Sequence, residues 1–267
     1  MPKVKIRDIE IYYESKGKGP RLLYIGGTGG DLRDKPNIFE SPLPQHFTTL
    51  AYDQRGLGQT DKPDKPYTMA DYAEDARELA QSIGWSSSHV MGVSFGGMVA
   101  QEYAIRYPEM VDRLVLACTS SGGAGGSSYP LHELAGLTPE ERAGTLMGLL
   151  DNRRGEAWRY SNPEKYREAL NQMMAPSPFE GEAGRDVGAR RQLEARRTHD
   201  TYSRLPRLGM PVYICGGKYD GLCVPGNLEA LHGQIRGSTL EFFEGGHMFL
   251  RQDPEAFNRI VSFLSRK

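Results

Sequence analysis

The sequence predicts an α/β fold in which an open, mostly parallel sheet of about eight strands carries helices on both faces. Short apolar or β-branched runs alternate with longer helical stretches along most of the 267 residues. Several runs are almost entirely apolar, which is typical of parallel strands covered on both faces. The alternation has one long break, at residues 122–205, where we find no strand pattern. These observations predict a sheet-based core with a helical insertion.

The predicted strands follow one another in a regular order. Residues 4–6 and 9–13 alternate with period two around an Arg-Asp turn, which predicts an antiparallel hairpin. The other six strands are predicted at residues 22–25, 47–52, 90–93, 114–117, 212–215 and 240–243.

The helices are predicted from their start and stop signals. Thr68 can cap a helix that runs to about residue 84, and a helix over residues 95–107 ends before Pro108. Strand–helix alternation of this kind builds right-handed βαβ units, and such sheets bind ligands at the carboxyl ends of their strands.

The insertion is predicted to be helical. It opens with a Gly/Ser-rich linker and continues with helices that begin at Pro139 and Pro163. Its paired arginines suggest a phosphate site, but 12 basic residues face 12 acidic ones, so solvated helix faces are the better interpretation. The predicted division is a core of residues 1–121 and 206–267, with residues 122–205 as a cap.

Composition and charge narrow the class of protein. Lys and Arg total 33 against 34 Asp and Glu, a balance that argues against a general nucleic-acid binder. No segment approaches the ~20 apolar residues of a membrane span, and the first residues carry no apolar run of signal-peptide length. The three cysteines are an odd number, which favours reduced thiols. We therefore expect a cytoplasmic enzyme or binder of small molecules.

Residues 92–96, Gly-Val-Ser-Phe-Gly, match the G-x-S-x-G motif in its required setting between a strand and a helix. Glycines before and after Ser94 let neighbouring backbone pass close to a very sharp turn. The turn also aims N–H groups and the positive helix end at the serine, where negative charge develops. The motif predicts a nucleophilic serine; an incidental serine in a Gly-rich turn is the lesser alternative.

A serine nucleophile needs a base, and the base needs a carboxylate. Of the six histidines, only His247 follows a predicted strand and so lies at the edge of the sheet where Ser94 lies. Asp220 follows the preceding strand at the same edge. No acidic residue follows the strand at residues 114–117 until Glu133, so the other common position for the acid is empty. The chain order Ser94, Asp220, His247 fits a catalytic triad.

The oxyanion of an acyl-transfer transition state needs two preorganised donors. The N–H of Phe95, directly after the nucleophile, is one candidate. The glycine-rich loop at residues 26–30 can supply the other, because its backbone amides are free to converge on one point. A flexible turn and a phosphate loop are alternatives, although the loop lacks the Gly-Lys-Ser/Thr ending of a phosphate loop.

At this point the chain resembles the α/β-hydrolase superfamily. Residues 53–63 are similar to its D-x-R-G-x-G-x-S segment, with Thr60 in the usual serine position. Residues 94–101 and 108–116 are similar to its nucleophile helix and next strand. The resemblance implies the α/β-hydrolase fold, with the insertion as its cap.

The same resemblance implies roles for single residues. Asp53 and Arg55 would be structural, tying loops near the site. Gly26 stands where the family often has histidine, and by position Thr28 would donate the second N–H to the oxyanion. Because the nucleophile is Ser94 rather than aspartate, the chemistry of haloalkane dehalogenases and epoxide hydrolases is disfavoured.

The predicted function is a serine hydrolase that cleaves a small carboxylic ester through an acyl-enzyme. We expect no cofactor and no metal, since no His/Cys/Asp cluster has metal-ligand spacing. Lactone, C–C, amide or perhydrolysis chemistry of the same fold stays open, as does a weakly catalytic ligand-binding signalling protein. Trp158, Met173 and Met174 are candidate substrate contacts in an apolar pocket, and they are equally consistent with packing of the cap on the core.

Overall fold

A computed structural model describes residues 3–266 and contains the predicted mixed sheet. The eight predicted strands are all present, and several of them extend beyond the residues that were predicted. Their bounds are β1 Lys3–Ile6, β2 Ile9–Lys16, β3 Arg21–Ile25, β4 Thr48–Tyr52, β5 Ser88–Val93, β6 Val111–Ala117, β7 Val212–Gly217 and β8 Thr239–Phe243.

The strand order across the sheet is β1-β2-β4-β3-β5-β6-β7-β8. The β1–β2 and β2–β4 pairs are antiparallel, and every other pair is parallel. Ile25 at the end of β3 lies in register with Gly92 near the end of β5. The glycine-rich loop after β3 therefore emerges beside the turn that carries Ser94.

Ten α-helices join these strands in the described part of the chain, together with short 3₁₀ turns. Their bounds are α1 Leu43–His46, α2 Met69–Ser82, α3 Phe95–Arg106, α4 Pro139–Leu150, α5 Glu156–Ser161, α6 Pro163–Met174, α7 Arg185–Arg197, α8 Pro225–Gln234, α9 Phe249–Gln252 and α10 Glu255–Leu264.

The core lies on both faces of the sheet, in two apolar clusters. One cluster packs α2, α3 and α8 against it, with Leu23, Tyr72 and Val99 among its fully buried side chains. The other packs α10 and the loop before α1 against the opposite face, with Phe47 and Ile260 buried. Replacing one such side chain by alanine typically costs about 2–5 kcal/mol, so these clusters hold the strand ends in place.

Asp53 and Arg55, which follow β4, make the structural contacts that the resemblance implied. Asp53 accepts hydrogen bonds from the N–H groups of Leu32 and Gln59, at 2.7 and 2.8 Å. The Arg55 guanidinium is buried and pairs with Asp75 on α2 at 2.7 Å. The two residues fasten the loops after β3 and β4 to each other and to α2.

Residues 122–205, called the insertion from here on, carry α4 to α7. In the described chain this segment contains no strand and only one isolated bridge, between Gly122 and Asp200. Its own apolar cluster is small, with Met147 and Leu170 at its centre. The prediction that its arginine pairs are solvated is wrong for Arg196, which is buried and donates to Ser128 Oγ at 2.6 Å.

The longest helix within residues 3–266 is α2, with 14 residues. A helix that crosses a bilayer needs about 20 predominantly apolar residues. The described helices therefore include no membrane span.

Candidate active site

Ser94 occupies the sharp turn between β5 and α3. Its backbone has φ 55° and ψ −118°, a strained conformation for a residue with a side chain. A Cβ at Gly92 would overlap the carbonyl oxygen of Gly96, and a Cβ at Gly96 would overlap that of Ile25. The motif glycines thus permit the turn, as the sequence predicted, and β6 fixes it because the Ser94 N–H donates to Ala117 at 2.9 Å.

The structure brings the three predicted catalytic residues together. His247 Nε2 lies 3.0 Å from Ser94 Oγ, and His247 Nδ1 lies 2.7 Å from Asp220 Oδ2. All three side chains are buried. Because an ionised carboxylate can only accept, Nδ1–H donates to Asp220 and leaves Nε2 free to accept from the serine.

Asp220 is held by the backbone that follows it. Its Oδ1 accepts the N–H groups of Leu222 and Cys223, each at 2.8 Å. These donors fix the carboxylate and leave Oδ2 for the histidine. The acid is therefore oriented before any substrate arrives.

Of the two predicted oxyanion donors, Phe95 directly follows Ser94, and Thr28 lines the same cavity as Ser94. A Cβ built on Gly27 would lie 3.5 Å from Ser94 Cβ, so the glycine-rich loop passes directly over the nucleophile. Neither the N–H of Phe95 nor that of Thr28 has a hydrogen-bond acceptor among the described residues. An N–H group without an acceptor is available to bind an oxyanion, so the two groups stay candidates for that role.

Two glutamines that sequence reasoning missed hold this loop. Gln54 Nε2 donates to the carbonyl of Gly26 at 2.9 Å, and Gln192 Oε1 accepts the N–H of Gly29 at 2.8 Å. A glutamine that grips a backbone group from elsewhere in the chain leaves no local pattern, and we know of no signal in one sequence that would reveal it.

Cys118 lies directly after β6, at the position where the sequence lacks an acid. Its backbone has φ 39°, and its thiol lies within 4.8 Å of both an Asp220 carboxylate oxygen and a His247 ring nitrogen. These three groups form the described cluster best suited to hold a metal. Burial raises the pKa of the Cys118 thiol well above its usual range, whereas metal ligation needs a thiolate. His247 and Asp220 are hydrogen-bonded to each other at 2.7 Å, and the Cys118 thiol lies beside that pair.

A cavity of about 690 Å³ opens above Ser94 and His247. Its apolar wall comes from both the insertion and the core: Ile38, Leu131, Leu146, Leu150, Leu222, Met248, Leu250 and Phe257. Asp53 also lines the cavity, and burial raises the pKa of this carboxyl to about 6 against the opposing effect of its N–H donors.

The predicted substrate contacts lie elsewhere, and that prediction is corrected. Trp158 packs against the small apolar cluster inside the insertion. Met173 and Met174, at the end of α6, are 37% and 38% exposed. None of the three lines the cavity. Leu146 and Leu150 of α4 line the cavity, whereas α6 packs against α4 in the small cluster that contains Met147 and Leu170.

A family model of the alpha/beta hydrolase fold matches residues 20–254 of the chain. An uncharacterized protein of Mycobacterium tuberculosis is 29% identical over 97% of this chain and 80% of its own length. A proline iminopeptidase of Thermoplasma volcanium is 26% identical over 97% of this chain and 94% of its own. The crystal structure of a hydrolase from Pseudomonas aeruginosa is 26% identical, with a TM-score of 0.78 over 99% of this chain and 98% of that one.

The chain therefore belongs to the α/β-hydrolase fold family. The resemblance drawn from its motifs is confirmed, and so is the predicted fold. The prediction of a hydrolase is confirmed at the level of the family. Fold and family do not decide which bond is cleaved, so that question rests on the site itself.

Proposed function

We propose that the protein is a serine hydrolase that cleaves a small carboxylic ester through an acyl-enzyme. The observation that carries the proposal is the chain of two hydrogen bonds from Ser94 through His247 to Asp220. Such a chain turns a serine, unreactive at neutral pH, into a nucleophile. Ser94 is the nucleophile, His247 the general base and acid, and Asp220 the residue that stabilises the imidazolium.

Catalysis proceeds in two halves. In the first, Ser94 Oγ attacks the acyl carbon while His247 Nε2 takes the hydroxyl proton, and the tetrahedral oxyanion accepts from the N–H groups of Phe95 and Thr28. Collapse breaks the bond to the alcohol, which leaves with the proton from His247. In the second half, His247 deprotonates a water that attacks the acyl-enzyme, and the acid departs as Ser94 regains its proton.

The apolar cavity supports an ester with an apolar acyl or alcohol part. Leu131, Leu146 and Leu150 reach the cavity from the insertion, and Leu222 and Met248 reach it from the core. Apolar walls with a few polar groups at one end are typical of small-molecule sites. Residues 122–205 accordingly act as the cap, and residues 1–121 and 206–267 supply the chemistry.

The test is hydrolysis of p-nitrophenyl esters from acetate to decanoate, measured for the natural protein, Ser94→Ala and the matched control Ser86→Ala. Ser86 is exposed, so its variant reports only on the loss of a hydroxyl group. We expect rapid turnover that Ser94→Ala lowers by about 10⁴-fold or more and Ser86→Ala leaves unchanged. Turnover that survives Ser94→Ala would exclude the proposed nucleophile. No turnover of any ester would favour an amide or C–C substrate, or a ligand-binding protein.

A further inference from the structure

Gln192 lies on α7 of the insertion, yet its side chain ends at the glycine-rich loop of the core. Its amide oxygen accepts the N–H of Gly29 at 2.8 Å, and the side chain is fully buried. Its amide nitrogen has no hydrogen-bond partner among the described residues. A buried, half-satisfied amide costs stability, so its place in the structure calls for a role other than packing.

The Gly29 N–H is adjacent in the chain to Thr28, whose N–H is the proposed second oxyanion donor. The loop makes one internal backbone hydrogen bond here, from Gly30 to Gly27 at 3.2 Å. Gly29 itself adopts φ 69°, and nothing would contact a Cβ placed on it. Gln192 is thus the side chain that binds the peptide N–H directly after Thr28.

Further contacts seat the same loop on the insertion. Arg33 pairs with Asp31 at 2.7 Å and with Glu182 of the insertion at 2.8 Å. Arg33 also lies over the ring of Phe179, with its guanidinium carbon 3.7 Å from the ring centroid. The loop after β3 is thus held from the insertion side at two places.

Close packing sets the depth at which α7 lies against the core. A Cβ at Gly188 of α7 would overlap the carbonyl of Gly56, so the two backbones are in contact. Arg191, one residue before Gln192, pairs with Asp64 of the core at 2.8 Å. Gln192 therefore reaches Gly29 from a defined position of the helix.

We propose that Gln192 is a positioning residue for the oxyanion hole, and that the hole is complete only while α7 is docked. The inference rests on the proposed function, since it assigns Thr28 as an oxyanion donor. Gln192 does not line the cavity, so it acts through Gly29 and not through contact with substrate. The insertion thereby takes part in catalysis as well as in the choice of substrate.

The size of the effect follows from what oxyanion donors contribute. Removing one such donor lowers kcat by about 10²–10³-fold in a well-studied protease. Loosening a donor that remains present should cost less, about 10-fold. Ground-state binding should change little, so the loss should appear in kcat and leave KM within about twofold.

The experiment uses the full chain and two readouts. One is the kcat and KM of ester hydrolysis, and the other is the rate at which a fluorophosphonate probe phosphonylates Ser94, since its P=O oxygen occupies the oxyanion hole. The variants are Gln192→Met, of similar size without the amide, and Gln192→Asn, which keeps the amide but cannot reach Gly29. Gln172→Met, on an exposed position of α6, is the matched control.

We expect both Gln192 variants to lose about 10-fold in kcat and in phosphonylation rate, with KM and the control unchanged. If Gln192→Met does not fold by circular dichroism, the Asn variant decides the result. A folded Gln192 variant whose kcat and phosphonylation rate equal those of the unsubstituted protein would overturn the inference and leave the proposed function intact. A variant in which only KM changes would do the same. A natural protein that neither hydrolyses esters nor reacts with the probe would overturn both.

Discussion

The core and the insertion hold their residues in different ways. In the core, Ser94 and Asp220 follow the ends of strands packed between two large apolar clusters, and each is fixed by backbone hydrogen bonds. The insertion has a small cluster of its own and reaches the site through helix ends and single side chains, such as Leu146 and Gln192. Many charged side chains of the insertion are exposed.

The two regions nevertheless meet at the catalytic loops. The carbonyl of Leu150, at the end of α4, accepts the N–H of His247 at 2.7 Å, and that of Leu149 accepts the N–H of Gly221 at 2.9 Å. Backbone hydrogen bonds therefore join the loops that carry His247 and Asp220 to the insertion. On the proposed mechanism, the core supplies the catalytic groups, and the insertion helps to align them and contributes to the wall of the cavity.

The largest effect should come from the acid of the core. Asp220→Asn keeps the shape of the side chain but removes the charge and favours the wrong histidine tautomer, so we expect kcat to fall about 10⁴-fold. The measurement is steady-state ester hydrolysis. Asp186→Asn, at an exposed position of α7, should stay within about twofold of the natural protein. If kcat fell equally in the two variants, the proposed role of Asp220 would be contradicted.

The next effect concerns stability. Arg55→Met removes the buried partner of Asp75 and should lower the free energy of unfolding by about 3–5 kcal/mol, because a buried carboxylate loses an ion pair. Arg190→Met breaks an exposed pair with Glu194 in the insertion and should cost at most about 1 kcal/mol. Urea unfolding at pH 7.5 measures both changes. A similar cost for the two would contradict the view that the buried ion pair of the core contributes more stability than the exposed pair of the insertion.

A pH effect of intermediate size is expected from His199 of the insertion. Burial lowers the pKa of this imidazole to about 4, against the opposing effect of the Ser120 carbonyl. Since the folded pKa lies below the unfolded value of about 6.5, the unfolded chain takes up the proton first. This contribution to stability is complete above pH 6.5 and is lost as the pH falls towards 4.

Between pH 7.5 and pH 5 the contribution of His199 should shrink by about 2 kcal/mol. Urea unfolding at the two pH values, for the natural protein, His199→Gln and the exposed control His132→Gln, measures it. The natural protein and the control should lose more stability than His199→Gln. If all three lose the same amount, burial of His199 contributes nothing to the pH dependence of stability.

The smallest effect tests the corrected pocket. Leu146→Trp fills the cavity from α4, so we expect kcat/KM for long-chain esters to fall by about 10-fold while the acetate ester is spared. Met173→Trp makes the same change of bulk at an exposed position and should leave the chain-length profile unchanged. A shift in Met173→Trp would restore the original prediction for α6.

The sequence predicted those parts of the fold that rest on local pattern. All eight strands were predicted from apolar runs or period-two alternation, but seven of them were predicted too short at one end, and β4 was predicted to begin one residue too early. β6 begins at Val111 and takes in Asp112 and Arg113, since backbone pairing with a neighbouring strand continues past the apolar residues. Apolar residues indicate which part of a strand is buried, whereas backbone hydrogen bonds decide where the strand begins and ends.

For the site, residue type was predictable where chemistry demands it. Ser94, His247 and Asp220 were proposed as nucleophile, base and acid because few residue types can do those tasks, and the structure brings the three side chains within hydrogen-bond distance. The lining of the cavity could not be predicted, since it depends on which face each insertion helix turns inward. Cys118 had one usable signal: it directly follows β6, where an acid was sought and not found.

The most direct test of the account is to locate the reactive residue. The protein is treated with one equivalent of a fluorophosphonate, digested and mapped by mass spectrometry, with His247→Ala treated in parallel. The account predicts a single phosphonyl group on Ser94 and at least ~10³-fold slower labelling in the histidine variant. Labelling of another residue, or labelling of Ser94 that does not depend on His247, would contradict it.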